Sequence, residues 1–284
     1  MIEIKNINGE IVRKLNLDTL ASADLRDMNF SYADCRHLDF SHSNLAFADF
    51  SHALIDDANL SSCDLRGTNF QDASANRTNF SNSQLGSEHT GETANLANAD
   101  LSEANFTNAN LHQVNLPASN CHKTNFTHAD LRRANIAQSN VSHANLDNAL
   151  MMDTIFRGSD LSYTNLCGAH LNSANLNHAK LDYANMTHHQ HCPSAAVLNM
   201  ANLSNASLVG AKMNHVVMHE ANLRDADLTD ADLGNASLTG SLLRNATVTN
   251  TNFKDVDLLL VTITLANFSE ARNADIPKHK TDWR

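Results

Sequence analysis

Residues 21–50 read ASADLRDMNFSYADCRHLDFSHSNLAFADF, and the fold turns on that stretch. Cut from Ala23, it falls into ADLRD, MNFSY, ADCRH, LDFSH, SNLAF and ADFSH, a period of five. Each block carries a large apolar residue at its third position, here called the centre. Centres recur in steps of five from Leu25 to Leu85, from Leu96 to Met186 and from Leu198 to Phe268. All of them are apolar, and only Phe47 of the chain's 11 phenylalanines lies elsewhere. Two residues before each centre stands Ala, Ser, Thr, Cys or Val, with Met28 and Leu38 the exceptions, and the residue between is mostly Asp or Asn.

Residues two apart in an extended chain point to the same side, so the small residue and the centre both face inward. The residue between them and the two after the centre face water. Five is odd, so a flat strand would reverse its faces at every block, and the chain must instead turn a corner each time. A 3.6-residue helical period does not fit, and Asn, Asp, Ser and Thr are poor helix-interior residues. Corners close into coils, and stacked coils pair like parallel strands. Sorting the centres by twenties aligns Leu25, Leu45, Leu65 and Leu85, then Phe30, Phe50 and Phe70, then Phe40, Leu60 and Phe80. Four blocks therefore make one coil, and the whole chain holds about 12 coils.

The run A(D/N)LxxA(D/N)LxxA(D/N)L, as in ANLANADLSEANF and ANLRDADLTDADL, resembles the pentapeptide-repeat family over residues 21–270. The resemblance implies an all-β fold, a right-handed quadrilateral parallel β-helix. The opening MIEIKN…GE is also similar to those of phage and prophage members. Ile2–Lys5 and Ile11–Leu15 flank Asn8-Gly9, a hairpin signal, so residues 1–20 are expected to cap the first coil. Residues 271–284 form a polar C-terminal tail.

Two register breaks interrupt the repeat, across GSEHTGETA and across THHQHCPSAAV. If six residues leave the coil at the first, Phe106 and Phe126 continue the column of Phe40 and Phe80, while Cys121 and Val141 continue that of Cys35, Ile55 and Ala75. That continuity favours loops near 86–91 and 187–193. Loops on a rigid scaffold commonly carry binding function, which makes Glu88, His89, His188, His189 and His191 candidate partner contacts. His188, His189, His191 and Cys192 have zinc-ligand chemistry. Consecutive loop residues rarely close a tetrahedral site, however, and no second cluster supplies a partner. No metal or cofactor is expected.

Composition excludes several classes. The chain has 284 residues, a formal net charge of −11, 42% hydrophobic residues, nine Gly and three Pro, which rules out disorder. No apolar run exceeds Leu258–Val261, so no membrane span is expected. The N-terminus has no apolar leader, and five Cys without paired spacing do not make a disulfide framework; both point to a reducing, cytoplasmic setting. Acids outnumber bases in each third of the chain, and no basic run appears, against direct nucleic-acid binding. The interior takes two small or apolar side chains per block, leaving no pocket for catalysis, and no enzyme is expected.

What remains is a binding protein. Coils stacked at about 4.8 Å give a rod of roughly 55–60 Å, comparable to about 17 base pairs of duplex. An anionic rod of that size could occupy the DNA channel of DNA gyrase or topoisomerase IV, and the resemblance includes gyrase-interacting and quinolone-resistance members. Asp56 and Asp57, and the group Asp225, Asp227, Asp230 and Asp232, are the candidate acidic contacts. The alternative is a protein-interaction scaffold, or a phage or secreted effector, with no topoisomerase target. Leu259, Leu260 and Leu265 are apolar at outward positions, and are expected either to lie under the tail or to form a homodimer contact through the last coil.

Overall fold

The computed structural model describes residues 1–89, 91–188, 190 and 192–281. They form two compact units, Met1–Ala144 and Asn145–Arg284, each built on a right-handed, four-sided parallel β-helix. One block shows how the backbone is satisfied. The centre Phe30 donates its N–H to Asp49 O on the next coil at 2.6 Å, and Asp49 N–H returns to Met28 O at 2.9 Å. Ala33 N–H closes the corner onto Phe30 O at 3.0 Å, and Tyr32 N–H reaches Ser51 O at 3.0 Å. Each side thus makes one parallel bridge to the coil above, as in Asn29↔Asp49 and Asn44↔Asp64.

The corner demands a left-handed residue. Away from the breaks, and with Leu260 and Glu270 near the C-terminal end as exceptions, non-glycine residues two after the centre have φ between +54° and +63°, the conformation that the third residue of a type II turn requires. Asn, Asp, His and Gly tolerate it best. His37, His42, His52, His128, His143, His178 and His215 all stand there, so their placement has a backbone reason as well as a solvent one.

Side chains stack in columns inside each unit. Phe30, Phe50 and Phe70 stack with ring centroids 4.8 and 5.3 Å apart, and Phe80, Phe106 and Phe126 at 4.6 and 5.3 Å. Each such ring is buried, a stabilisation of about 1.5–3 kcal/mol by transfer with about 0.5–1.5 kcal/mol more per well-placed pair. Many inward hydroxyls are bonded to the preceding coil: Thr68 to Leu45 O at 2.9 Å, Thr124 to Leu101 O at 2.8 Å, and Thr251 to Leu228 O at 2.6 Å, while Thr164 bonds Leu161 O of its own coil at 2.7 Å. They satisfy a small inward position without leaving a polar atom stranded.

The pairing offset locates the breaks. Partners on successive coils are normally 20 residues apart, as Asn59 and Asn79 are. Across the first break the offset is 26, as in Asn69↔Asn95, and Phe80 meets Phe106. Across the second it is 27, as between Asn177 and Ser204. Six and seven residues leave the coil, the ladder resuming in the same columns on either side.

At the N-terminus, β1 (Ile2–Asn6) pairs antiparallel with β2 (Ile11–Leu15) and, on its other edge, with β3 (Ala33–Asp34) of the first coils. Arg13 Nε anchors the hairpin to Asn29 O at 2.7 Å. Covering the first coil removes an edge that would otherwise template pairing with another chain. At the other end the short helix α1 (Lys278–Thr281) brings Lys280 Nζ onto the carbonyl oxygens of Leu258 and Val261.

One expectation is corrected. Cys167 and Cys192 form a disulfide, with Cα atoms 6.2 Å apart. The five-residue count hid it: Cys167 occupies a block position that ordinarily faces outward, one residue after Leu166, and Cys192 sits in the segment that leaves the coil, so no regular spacing links them. The cysteines therefore do not by themselves specify a reducing compartment. Cys35, Cys63 and Cys121 are free and buried, and burial pushes each thiol up to about 12. Among the described residues no helix is long and apolar enough to cross a membrane.

Candidate binding surfaces

Between small residue and centre, outward asparagines build ladders along the coil axis. Asn69 Nδ2 donates to Asp49 Oδ1 at 3.1 Å, Asn95 to Asn69 at 3.2 Å, Asn115 to Asn95 at 3.1 Å and Asn135 to Asn115 at 3.0 Å. A second ladder runs from Asp39 through Asn59 and Asn79 to Asn105 at 2.9, 3.1 and 3.2 Å. The same Oδ1 atoms also accept the N–H two residues on, as Asn105 does from Thr107 at 3.1 Å, fixing the corner. A carboxylate only accepts, so Asp fits at the N-terminal foot of a ladder. Asp64 and Asp130, which follow Asn44 and Asn110 in their columns, are instead forked by Arg66 and Arg132 at 2.6–2.9 Å.

These rules account for the candidate acids. Asp57 is held in a bidentate pair by Arg77, both bonds 2.7 Å, and that pairing pulls its carboxyl below the ordinary 3.8. Asp56 accepts from Ser74 Oγ at 2.6 Å and Asn76 N–H at 2.9 Å. Asp225 and Asp232 accept from Asn245 and Asn252 at 2.6 and 2.7 Å, and Asp230 accepts from Asn250. Burial of Asp232 works to raise its carboxyl, but bonds from Asn214, Gly234 N–H and Asn252 outweigh it and the net direction is down. Asp227 accepts from the Thr229 hydroxyl at 2.6 Å. The bridges Asn222↔Leu242, Asp227↔Thr247 and Asp232↔Asn252 belong to three different sides of the coil. Asp225, Asp227, Asp230 and Asp232, adjacent in sequence, are therefore distributed around the coil and do not form one patch.

At the first break, Glu88 reaches down to the buried His112, Oε2 to Nε2 3.2 Å, while His89 is exposed and donates its N–H to Ser87 Oγ at 3.1 Å. Glu88 and His89, with Cys63, Asp64, Arg66 and Gly86, border an open cleft of about 550 Å³. Among the described residues His112 Nδ1 is the one buried side-chain polar atom without a partner. At the second break, exposed His188 packs edge-on against His215 with centroids 5.0 Å apart. The candidates His189 and His191 lie outside the described residues.

The C-terminal leucines come together. Leu259, Leu260 and Leu265 are 53%, 65% and 71% exposed. With Phe268, Ile276 and Lys280 they line a groove of about 1080 Å³. Among the described residues, the tail as far as residue 281 borders this groove and leaves the three leucines exposed. The coil interior is packed as expected. Sequence reading missed Asp147 and Gly168, which meet the Cys167–Cys192 pair; a cysteine at an outward corner with another in a neighbouring break was the available signal.

A four-sided coil with one small and one large apolar residue per five-residue side defines a pentapeptide solenoid. The chain belongs to the pentapeptide-repeat family: eight copies of Pentapeptide repeats match residues 20–55, 53–86, 94–133, 129–162, 159–190, 194–225, 201–240 and 221–259. Comparison with curated protein sequences gave no match. Among solved structures, the chain is similar to HetL, a pentapeptide repeat protein involved in heterocyst differentiation regulation from the cyanobacterium Nostoc sp. strain PCC 7120. The identity is 29% over 78% of this chain and 92% of that one, with a TM-score of 0.36. It is also similar to QnrB1, a plasmid-mediated fluoroquinolone resistance protein, at 17% identity over 76% and 87% of the two chains and a TM-score of 0.46. A third is a pentapeptide repeat protein of the Arabidopsis thaliana thylakoid lumen, 25% identical over 40% of this chain and 69% of that one, TM-score 0.19.

Proposed function

We propose that this protein is a non-enzymatic, protein-binding scaffold. The observation that carries the reading is the state of its polar surface: outward Asn and Asp side chains are spent on coil-to-coil ladders, corners and Asp–Arg forks. Such groups present flat, pre-organised faces that lose little entropy on association. The exposed C-terminal leucines are the counterpart expected of a contact between two copies of the chain.

The specific form of the proposal is binding to DNA gyrase or topoisomerase IV by a DNA-like surface, in a cytoplasmic setting. Its support is the net charge of −11 and the placing of Asp225, Asp227, Asp230 and Asp232 around the coil. The forks to Arg66, Arg77 and Arg132 act against it, because they neutralise part of that charge locally. The test is a gyrase supercoiling assay with the protein titrated in, with and without a fluoroquinolone, alongside binding of immobilised protein to gyrase. Inhibition or drug rescue at micromolar protein, weakened by adding linear duplex DNA, supports the topoisomerase form. Absence of binding at high protein removes that form and leaves a scaffold for another protein.

A further inference from the structure

The second break holds chemistry that the binding surfaces do not use. Cys167 occupies a position that faces outward in other blocks, yet it is fully buried, as is Cys192. Asp147 occupies the same block position one coil earlier, and its carboxylate and the two sulfurs lie within 4.8 Å of one another. Gly168 lets the looped segment descend this far: a Cβ there would come within 3.0 Å of Cys192 Sγ and 2.3 Å of Asn148 Oδ1. Asn148 in turn orients Asp147, donating Nδ2 to its Oδ1 at 2.9 Å. Ser194 O stands 3.3 Å from Cys167 Sγ and 3.4 Å from Cys192 Sγ. A disulfide makes no use of such an acceptor, whereas a thiol donates to it, so the surroundings suit the reduced pair too.

We propose that Cys167, Cys192 and Asp147 form a redox-gated site for one zinc-class divalent cation. Two thiolates and a carboxylate are a donor set suited to Zn²⁺, with water at the fourth position. Metal–sulfur bonds of about 2.3 Å and metal–oxygen bonds of about 2.1 Å place tetrahedral ligand atoms roughly 3.4–3.8 Å apart, inside the observed spread. Asp147 and Cys167 stand on the coil and Cys192 on the segment that adds seven residues to it; a shift of about 1.5 Å separates a disulfide from two ligands of one ion. The sequence lacked a second cluster to partner the loop, and the coil supplies it.

The chemistry balances without further components. A phosphine reductant gives two electrons to the S–S bond and becomes its oxide with the oxygen of one water, whose two protons complete the two thiols. Binding of the dication then releases those two protons. The loop is tied to the coil in both states, by a covalent bond in one and by the cation in the other.

Full-length, tag-free protein is treated with a phosphine, desalted without air and titrated with Co²⁺ as a visible stand-in, then with Zn²⁺ in competition. One Co²⁺ per chain with a thiolate-to-cobalt charge-transfer band is expected after reduction, and none before it. Cys167→Ser and Cys192→Ser should abolish the band, and Asp147→Asn should weaken binding at least tenfold, with unchanged circular dichroism. No band in the reduced protein, or an Asp147→Asn variant that binds as tightly as the parent, overturns the proposal. So does cobalt binding at parental affinity in the Cys167→Ser, Cys192→Ser double variant, which would assign the cation to the loop histidines.

Discussion

Removal of the Phe106 ring tests the register across the first break. Phe106 is fully buried between Phe80 and Phe126, with centroid separations of 4.6 and 5.3 Å. Truncation to Ala loses transfer energy and leaves a cavity, about 3–5 kcal/mol. In a unit of this size that lowers Tm by roughly 6–20 °C, the loss falling on one coil and its neighbours because solenoid stability is nearest-neighbour. The sharper measure is a double-mutant cycle with Phe80→Ala, read by urea unfolding and circular dichroism. Stacked rings 4.6 Å apart and nearly parallel should couple by about 0.5–1.5 kcal/mol. If the break were a one-residue bulge, Phe80 would instead sit below Leu101. A larger coupling for Phe80 with Leu101 than with Phe106, or a vanishing one with Phe106, would refute the six-residue loop.

Ladder polarity predicts an asymmetry. Asn115→Asp removes the donor to Asn95 and should cost about 1–2 kcal/mol, whereas Asp49→Asn at a ladder foot should fall within about 0.5 kcal/mol of neutral; equal effects in urea melts would count against the ladders. Gly210→Ala would set a Cβ 2.5 Å from the Tyr183 ring at φ +64°, so a loss of about 1–3 kcal/mol is expected, with the exposed Tyr163–Tyr183 stack disturbed in near-ultraviolet circular dichroism. The carboxyls of Asp24, Asp34, Asp57 and Asp64 are each lowered from 3.8, chiefly by their arginine partners. Groups lowered by folding stabilise fully above their unfolded value and lose that contribution as pH falls through the folded one. The urea midpoint should therefore be level from neutrality to about pH 5 and fall below about pH 4; a decline already complete at pH 5 would contradict the assignment.

The sequence disclosed the coil because its period is set by inward packing, which every block repeats: Leu25 and Leu45, or Phe30 and Phe50, announce their column by recurring. The left-handed corner was less visible, since Ser22, Tyr32, Arg77 and Leu265 all adopt it and residue type alone does not reveal it. The acids at Asp225–Asp232 looked like a cluster because sequence distance is not surface distance when the chain changes side every five residues. Cys167, Cys192 and Asp147 were hidden for the opposite reason: a looped segment brings together residues that no period relates.

The asparagine ladders have a direction that the backbone lacks. Backbone bonds between coils alternate, Phe30 N–H pointing to the following coil and Asp49 N–H to the preceding one, so their dipoles largely cancel. The side-chain amides all point their N–H groups the same way, and their dipoles add along each ladder within a unit. The positive end lies at the foot, where Asp39, Asp49, Asp100 or Asp232 places a carboxylate. A coil added above such a foot extends the ladder only if it contributes another amide, not another acid. Repeating that rule favours asparagine over aspartate, in keeping with 38 Asn against a net charge of −11 in 284 residues.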